Sequence, residues 1–339
     1  MALDYSHSRA TPDLATHGAP RRDFSLLKPI AALGSVPQRL SILIFHRVLP
    51  AQDPLFPNEM DAQRFDKLLA LLKSCFNVIS LRDGIEGLRC GKLPSRALSI
   101  TFDDGYADNA EIALPILQRH GMPATFFVAT GFLDGGRMWN DTVIELVRRA
   151  PDEVDLTRAG FGVLKLGSAA ARHAAIGALL GQLKYLPFEA RLEQVDLLRE
   201  LIPVALPDDL MMRSAQVRQL HAAGMEIGGH TVQHPILARL EPAQARREMA
   251  EGKEALEALI GEPVRTFAYP NGKPGQDYLA EHARLARDIG FESAVSTSWG
   301  AASAASDLFQ LPRFTPWDRG HARFLLRMLQ NMRRQGETA

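Results

Sequence analysis

The stretch Ser99-Ile-Thr-Phe-Asp-Asp-Gly-Tyr106 joins a largely apolar run to two consecutive carboxylates and a turn glycine. A run of this kind, with no charged position, reads as a strand buried on both faces, as in a parallel sheet covered by helices. Charges at the carboxyl end of such a strand stand where α/β active sites stand. The plainer reading of the same residues is an Asp-Gly turn whose first Asp caps the next helix. Two adjacent anions repel, however, and a bound cation is the simplest reason to keep them together.

Working outward, similar runs recur at 41–46, 77–80, 98–103, 124–130, 225–229, 264–269, 293–297 and 309–314. Between them lie segments of helical period. Phe65, Leu68, Leu69 and Leu72 form one apolar stripe. Pro242 opens a longer helix that carries Ala245, Met249, Leu256 and Leu259 and stops at Gly261. Strands alternating with helices predict an α/β fold. Over 140–213 the strand signals cease in favour of Ala, Leu, Arg and Glu at helical spacing, broken at Pro187, Pro203 and Pro207. This predicts an all-helical insertion beside the mouth of the fold. Residues 1–39 read as an irregular tail, 40–318 as the α/β domain, and 319–339 as a C-terminal helix.

The chain has 339 residues, 46% hydrophobic and 23% charged, which excludes wholesale disorder. Its 39 basic residues balance 39 acidic ones, so there is no cationic footprint for nucleic acid. No apolar run approaches the ~20 residues that span a bilayer, and no secretory signal is visible, so a cytoplasmic location is expected. Cys75 and Cys90 are too few for a disulfide framework and read as free thiols.

A second segment, Met225-Glu-Ile-Gly-Gly-His-Thr-Val-Gln-His-Pro235, ends another strand in two glycines and places His230 and His234 four residues apart. If the chain turns helical there, both imidazoles share one face and can share a metal. Thr231 stands where a thermolysin-type site has its Glu, so the base must come from Asp103 or Asp104. One carboxylate and two histidines leave positions open for water, and the other carboxylate is free to take that water's proton. Together the two strand ends make a hydrolase constellation.

Thr101-Phe-Asp-Asp-Gly105, His230-Thr-Val-Gln-His234 and Phe267-Ala-Tyr-Pro-Asn-Gly272 resemble the motifs of the polysaccharide deacetylases of the NodB-homology type, carbohydrate esterase family four. The resemblance covers roughly residues 41–314 apart from the insertion. It implies a distorted (β/α) barrel that removes acetyl groups from sugars with a divalent metal, commonly zinc. It also implies Asp103 as base and Asp104, His230 and His234 as metal ligands. Tyr269 and Asn271 of the third motif are expected at the substrate, with a backbone N–H near Asn271 facing the oxyanion.

The family's third motif normally carries an Arg that tethers the catalytic Asp, and here Ala268 follows Phe267. The terminal Leu-x-Leu-His motif that supplies the general acid is absent too. Ile42-Leu-Ile-Phe-His-Arg-Val48 resembles the first strand of poly-N-acetylglucosamine deacetylases, where the acid histidine appears at the front of the domain, so His46 is the expected acid. In a closed barrel the first and last strands are neighbours, so Arg313 of Leu311-Pro-Arg-Phe314 is expected to reach Asp103 or the acid histidine. An Arg313→Ala change should then leave fold and metal content intact while cutting turnover. Trp139, with Asn140 and Asp141 after it, offers a ring face for a sugar.

The expected activity is therefore metal-dependent removal of N-acetyl groups from amino sugars of a polysaccharide, oligosaccharide or glycolipid. The alternatives are hydrolysis of a non-sugar C–N bond on the same barrel and an inactive glycan-binding homologue. An aspartyl-phosphate phosphatase is disfavoured, because that chemistry wants its two aspartates one residue apart.

Overall fold

The computed structural model of the protein describes residues 28–33 and 36–339. Nine strands are formed among them: β1 Leu40–Phe45, β2 Asn77–Val78, β3 Ala97–Phe102, β4 Thr125–Val128, β5 Glu153–Leu156, β6 Gly162–Lys165, β7 Glu226–Gly229, β8 Thr266–Ala268 and β9 Ser293–Val295. The α-helices are α1 Lys28–Leu33, α2 Ala62–Cys75, α3 Leu81–Cys90, α4 Leu114–His120, α5 Trp139–Arg149, α6 Ala169–Leu183, α7 Phe188–Leu201, α8 Ser214–Ala222, α9 Pro242–Ile260, α10 Ala280–Ile289 and α11 His321–Asn331.

Seven strands form one parallel sheet in the order β1-β3-β4-β7-β8-β9, with β2 beside the start of β3. Every residue of β1 and β3 is buried. Alternation explains this. Phe45, Phe102 and Phe126 stack in a row, centroids 5.3 and 4.8 Å apart, in the layer beneath the helices. Ile42, Phe127, Ala268 and Val295 point to the other side and fill the barrel interior. The Phe127 ring of β4 fits because its neighbour on β7 is Gly228, where a Cβ would lie 2.4 Å from that ring. The result is the expected distorted (β/α) barrel of the NodB type.

The expected last strand, 309–314, is not a regular strand. Single parallel bridges join Leu311 to Val295 and Phe314 to Leu43. Pro312 between them has no N–H to donate, so a continuous ladder cannot form. The segment nevertheless closes the gap between β9 and β1, with Phe314 N–H donating to Ile42 O at 2.8 Å and Leu311 N–H to Ala294 O at 2.9 Å.

The insertion is not wholly helical. After α5 the chain forms the antiparallel hairpin β5–β6, paired from Glu153↔Lys165 to Leu156↔Gly162, and then α6 and α7. Glu153-Val-Asp-Leu156 alternates exposed and buried, a period-two signal only four residues long inside helical surroundings. The insertion has its own apolar core, including Val147, Leu156, Ile176, Leu179 and Leu198.

At the amino end, 28–33 form α1, so that part of the expected tail is ordered; residues 1–27 and 34–35 lie outside the described residues. The C-terminal helix stops at Asn331 rather than continuing to 339. Beyond it the backbone is captured by the barrel: Ala301 N–H donates to Arg334 O at 3.1 Å and Glu337 N–H to Ser298 Oγ at 2.6 Å. Among the described residues no helix is long and apolar enough to cross a membrane.

Candidate metal and catalytic centre

β3 delivers Asp103 and Asp104 to the carboxyl rim of the sheet. Asp104 has φ of 78° and Gly105 of 92°, so the chain reverses there and the two carboxylates face different partners. Asp103 is gripped in bidentate fashion by Arg313: Nη1 donates to Oδ1 at 2.6 Å and Nη2 to Oδ2 at 2.7 Å. The guanidinium is fully buried. Its Nε donates to Ser296 O at 2.9 Å, and Nη1 also reaches Thr101 Oγ1 at 3.2 Å. Burial alone would raise the Asp103 pKa, but the charge and hydrogen bonds of Arg313, together with the nearby His230 and His46, outweigh it and hold this carboxyl below its ordinary range. Arg313 thus meets Asp103, and not the histidine, from the segment that closes the barrel.

Asp104 Oδ1 lies 3.3 Å from Nε2 of both His230 and His234, and one ligand atom from each residue falls within 4.8 Å of the others. His230 Nδ1 is 2.7 Å from Ala268 O. A carbonyl can only accept, so Nδ1 carries a proton and Nε2 is the nitrogen turned toward Asp104; burial would lower the His230 pKa, but the hydrogen bond to Asp104 and the Asp103 and Asp104 charges raise it. Burial pushes His234 down to about 3 against the pull of Asp104, which keeps its imidazole in the neutral form a metal requires. Burial would raise Asp104, yet hydrogen bonding to His230 and the nearby histidine charges hold it well below the carboxylate range. One carboxylate oxygen and two imidazole nitrogens, with one ring fixed by a peptide carbonyl, fit a divalent cation such as zinc, whose binding would displace the proton from His230 Nε2.

The two histidines do not share a helical turn. His234 precedes Pro235, which disfavours the right-handed helical region, and the loop uses positive φ at Thr231 (66°) and His234 (51°). Glu248 of α9 holds this loop, accepting from Val232 N–H at 3.0 Å and Gln233 N–H at 2.8 Å. α9 comes this close because it carries Gly252, where a Cβ would sit 2.9 Å from the Thr231 backbone.

These groups open into a cavity of about 460 Å³ shared by the sheet rim and the insertion, with His46, Trp139 and Asn271 also on its wall. His46 follows β1 directly and is exposed to the cavity. Tyr269 does not belong to the site. Its ring is fully buried, stacks on Tyr278 at 3.9 Å, and its hydroxyl donates to Phe309 O at 2.9 Å. Its backbone N–H is also engaged, with Val295 O at 3.3 Å. The expected substrate role of Tyr269 is therefore withdrawn in favour of core packing.

The cavity holds further groups to which the sequence assigned no role. Arg47 pairs with Asp108 at 2.7 Å and lies 4.6 Å over the Tyr106 ring, whose hydroxyl donates to Asp141 Oδ1 at 3.2 Å. Burial, reinforced by the Asp104 charge and opposed by Arg47, pushes Asp141 up to about 7. The adjacency of Arg47 to His46, and of Asp141 to Trp139, was the available signal. Arg191 of α7 also lines the cavity, and nothing in its helical surroundings marks it.

A family model described as polysaccharide deacetylase matches residues 91–163 and 166–294, a span that carries Asp103, Asp104, His230 and His234. The chain belongs to the polysaccharide deacetylase family. Among curated proteins it is similar to one named as a polysaccharide deacetylase, YxkH of Bacillus subtilis (strain 168), at 23% identity over 279 residues, 82% of this chain and 71% of YxkH. Among solved structures, the Streptococcus pyogenes deacetylase PplD, in complex with acetate, superposes with a TM-score of 0.57 at 20% identity, covering 88% of this chain and 99% of PplD. IcaB from Ammonifex degensii gives 0.54 at 19%, covering 85% and 97%. Both share the fold of this chain. His46 and Arg313 lie outside the residues matched by the family model, so their roles must be argued from the geometry of this chain.

Proposed function

We propose that the protein removes N-acetyl groups from amino sugars of a polysaccharide, oligosaccharide or glycolipid, using one divalent cation, with zinc the expected ion. The observation that carries this reading is the pair of rim carboxylates with opposite assignments: Asp103 clamped by a buried guanidinium, Asp104 beside two histidines. When bound by Asp104, His230 and His234, the cation supplies a Lewis acid that polarises the acetyl carbonyl and acidifies water.

Asp103 accepts a proton from the water that attacks the acetyl carbon. The bidentate clamp from Arg313 fixes the orientation of that carboxylate and keeps it ionised, so it is ready to accept. As the C–N bond breaks, His46 gives a proton to the departing nitrogen, and acetate and a free amine result. The oxyanion is assigned to a backbone N–H near Asn271, a reading supported by the place of Asn271, at positive φ, on the wall of the same cavity. An inactive binding homologue would have no use for the buried Asp103–Arg313 pair.

The test is to load the protein with zinc, incubate it with N-acetylhexosamine oligomers and lipid-linked N-acetylated sugars, and measure acetate and free amine. Equal amounts of both support the reading. Release from a cyclic ureide or a simple amide, with none from any sugar, would favour the non-sugar alternative.

A further inference from the structure

The arginines around the cavity are matched to carboxylates, with one exception. Arg47 has Asp108, Arg148 has Asp53, and Arg313 has Asp103. Arg191 is only 3% exposed, lines the same cavity, and forms an ion pair with no carboxylate among the described residues. Its guanidinium lies 4.9 Å over the Trp139 ring and 5.5 Å over Phe188, and its Nη1 donates to Lys184 O at 3.2 Å. Its Nε is buried with no partner. Burial alone acts on its pKa, in the lowering direction, with no anion to oppose it.

A guanidinium taken out of water without a counter-ion is costly, and its planar set of donors matches the two oxygens of a carboxylate or phosphate. Stacking on two aromatic rings holds the plane in place. We infer that Arg191 is the anion-binding group of a substrate subsite, and that the acetylated sugar, or its neighbour in the chain, carries an oxyanion, either the carboxylate of a uronic acid or a phosphate ester. The inference rests on the deacetylase reading for the word substrate; the anion site itself does not. Lys184, on the same wall, adds a second positive charge.

Calorimetric binding of methyl β-D-glucuronide, α-D-glucose 1-phosphate and the neutral methyl β-D-glucoside tests it, with the wild type, Arg191→Gln and Arg191→Lys. The wild type should bind one of the two anions at least about tenfold more tightly than the glucoside, which also tells carboxylate from phosphate. Arg191→Gln should erase that preference, and Arg191→Lys should keep the preference with weaker binding. Equal affinity of the wild type for all three overturns the inference, even if Arg191→Gln fails to fold. So does an anion preference that survives Arg191→Gln, which would place the anion at the Asp104 centre instead. Acetate release is assayed in parallel. Acetate from neutral oligomers without anion preference refutes the subsite alone, whereas anion binding lost in Arg191→Gln, with no acetate from any sugar, refutes the deacetylase reading alone.

Discussion

Replacing Arg313 with Ala removes both hydrogen bonds that hold Asp103, together with those to Ser296 O and Thr101 Oγ1. The two side chains are 0% and 4% exposed, so water cannot substitute. Removing one partner of a buried ion pair costs about 3–5 kcal/mol, because the remaining charge stays buried. The sequence-based expectation that this variant leaves the fold untouched therefore gives way to a large loss of stability. Urea denaturation of chelator-treated wild type, Arg313→Ala, Asp103→Asn and the double variant closes a cycle, and a coupling of about 3 kcal/mol is expected. The sign of the pH dependence follows from Asp103 having a lowered pKa when folded. The stability that the pair contributes is present above the ordinary carboxylate range and lost as the pH falls, so the deficit of Arg313→Ala shrinks in acid. A coupling below about 0.5 kcal/mol, or a deficit that does not change with pH, would refute the assignment of Arg313 as the group that holds Asp103.

His234→Ala should lower metal content and acetate release together; full zinc occupancy in the purified variant, measured by atomic emission, would remove His234 from the ligands. Asp103→Asn should retain the metal and lose about 10²–10⁴-fold in turnover, since an amide cannot take the water's proton. His46→Ala should also retain the metal, with its largest loss on substrates that have poor amine leaving groups; a uniform loss across leaving groups would count against an acid role. Asp141 moves from an ordinary 3.8 to about 7 on folding, so in metal-free protein its ionisation destabilises the fold by an amount on the order of 4 kcal/mol. That contribution to stability is intact below pH 3.8 and lost as the pH rises through about 7, so Asp141→Asn should gain stability relative to wild type across that window in thermal melts.

The features legible in the sequence are those written locally. The apolar runs marked the sheet because strands buried on both faces have no polar alternation to blur them. Asp103-Asp104 and His230–His234 were legible because each pair sits within a few residues at a strand end. Arg313, 210 residues from Asp103, was reachable only through the topological argument that a closing barrel brings its last segment beside its first. Where that argument assumed a full strand, Pro312 reduces it to two bridges. The β5–β6 hairpin was hidden because four alternating residues are too few to show against helical neighbours. Tyr269 shares a motif with Asn271, yet its side chain leaves the rim and stacks on Tyr278, a direction that no linear pattern encodes. Arg191 reads as one more charge on an amphipathic helix, and only the packing of α7 against Trp139 shows that it is buried and unpaired.

The central claim is that Asp103, with a cation at Asp104, His230 and His234, hydrolyses an N-acetyl group. The most direct measurement is acetate and amine release from N-acetylhexosamine oligomers by one preparation assayed as zinc-loaded, chelated and zinc-restored protein. The account predicts one amine for each acetate from the loaded protein, loss on chelation, and recovery with the metal. Release undiminished by chelation that removes all bound metal, or no release from any N-acetylated sugar by fully loaded protein, would contradict it.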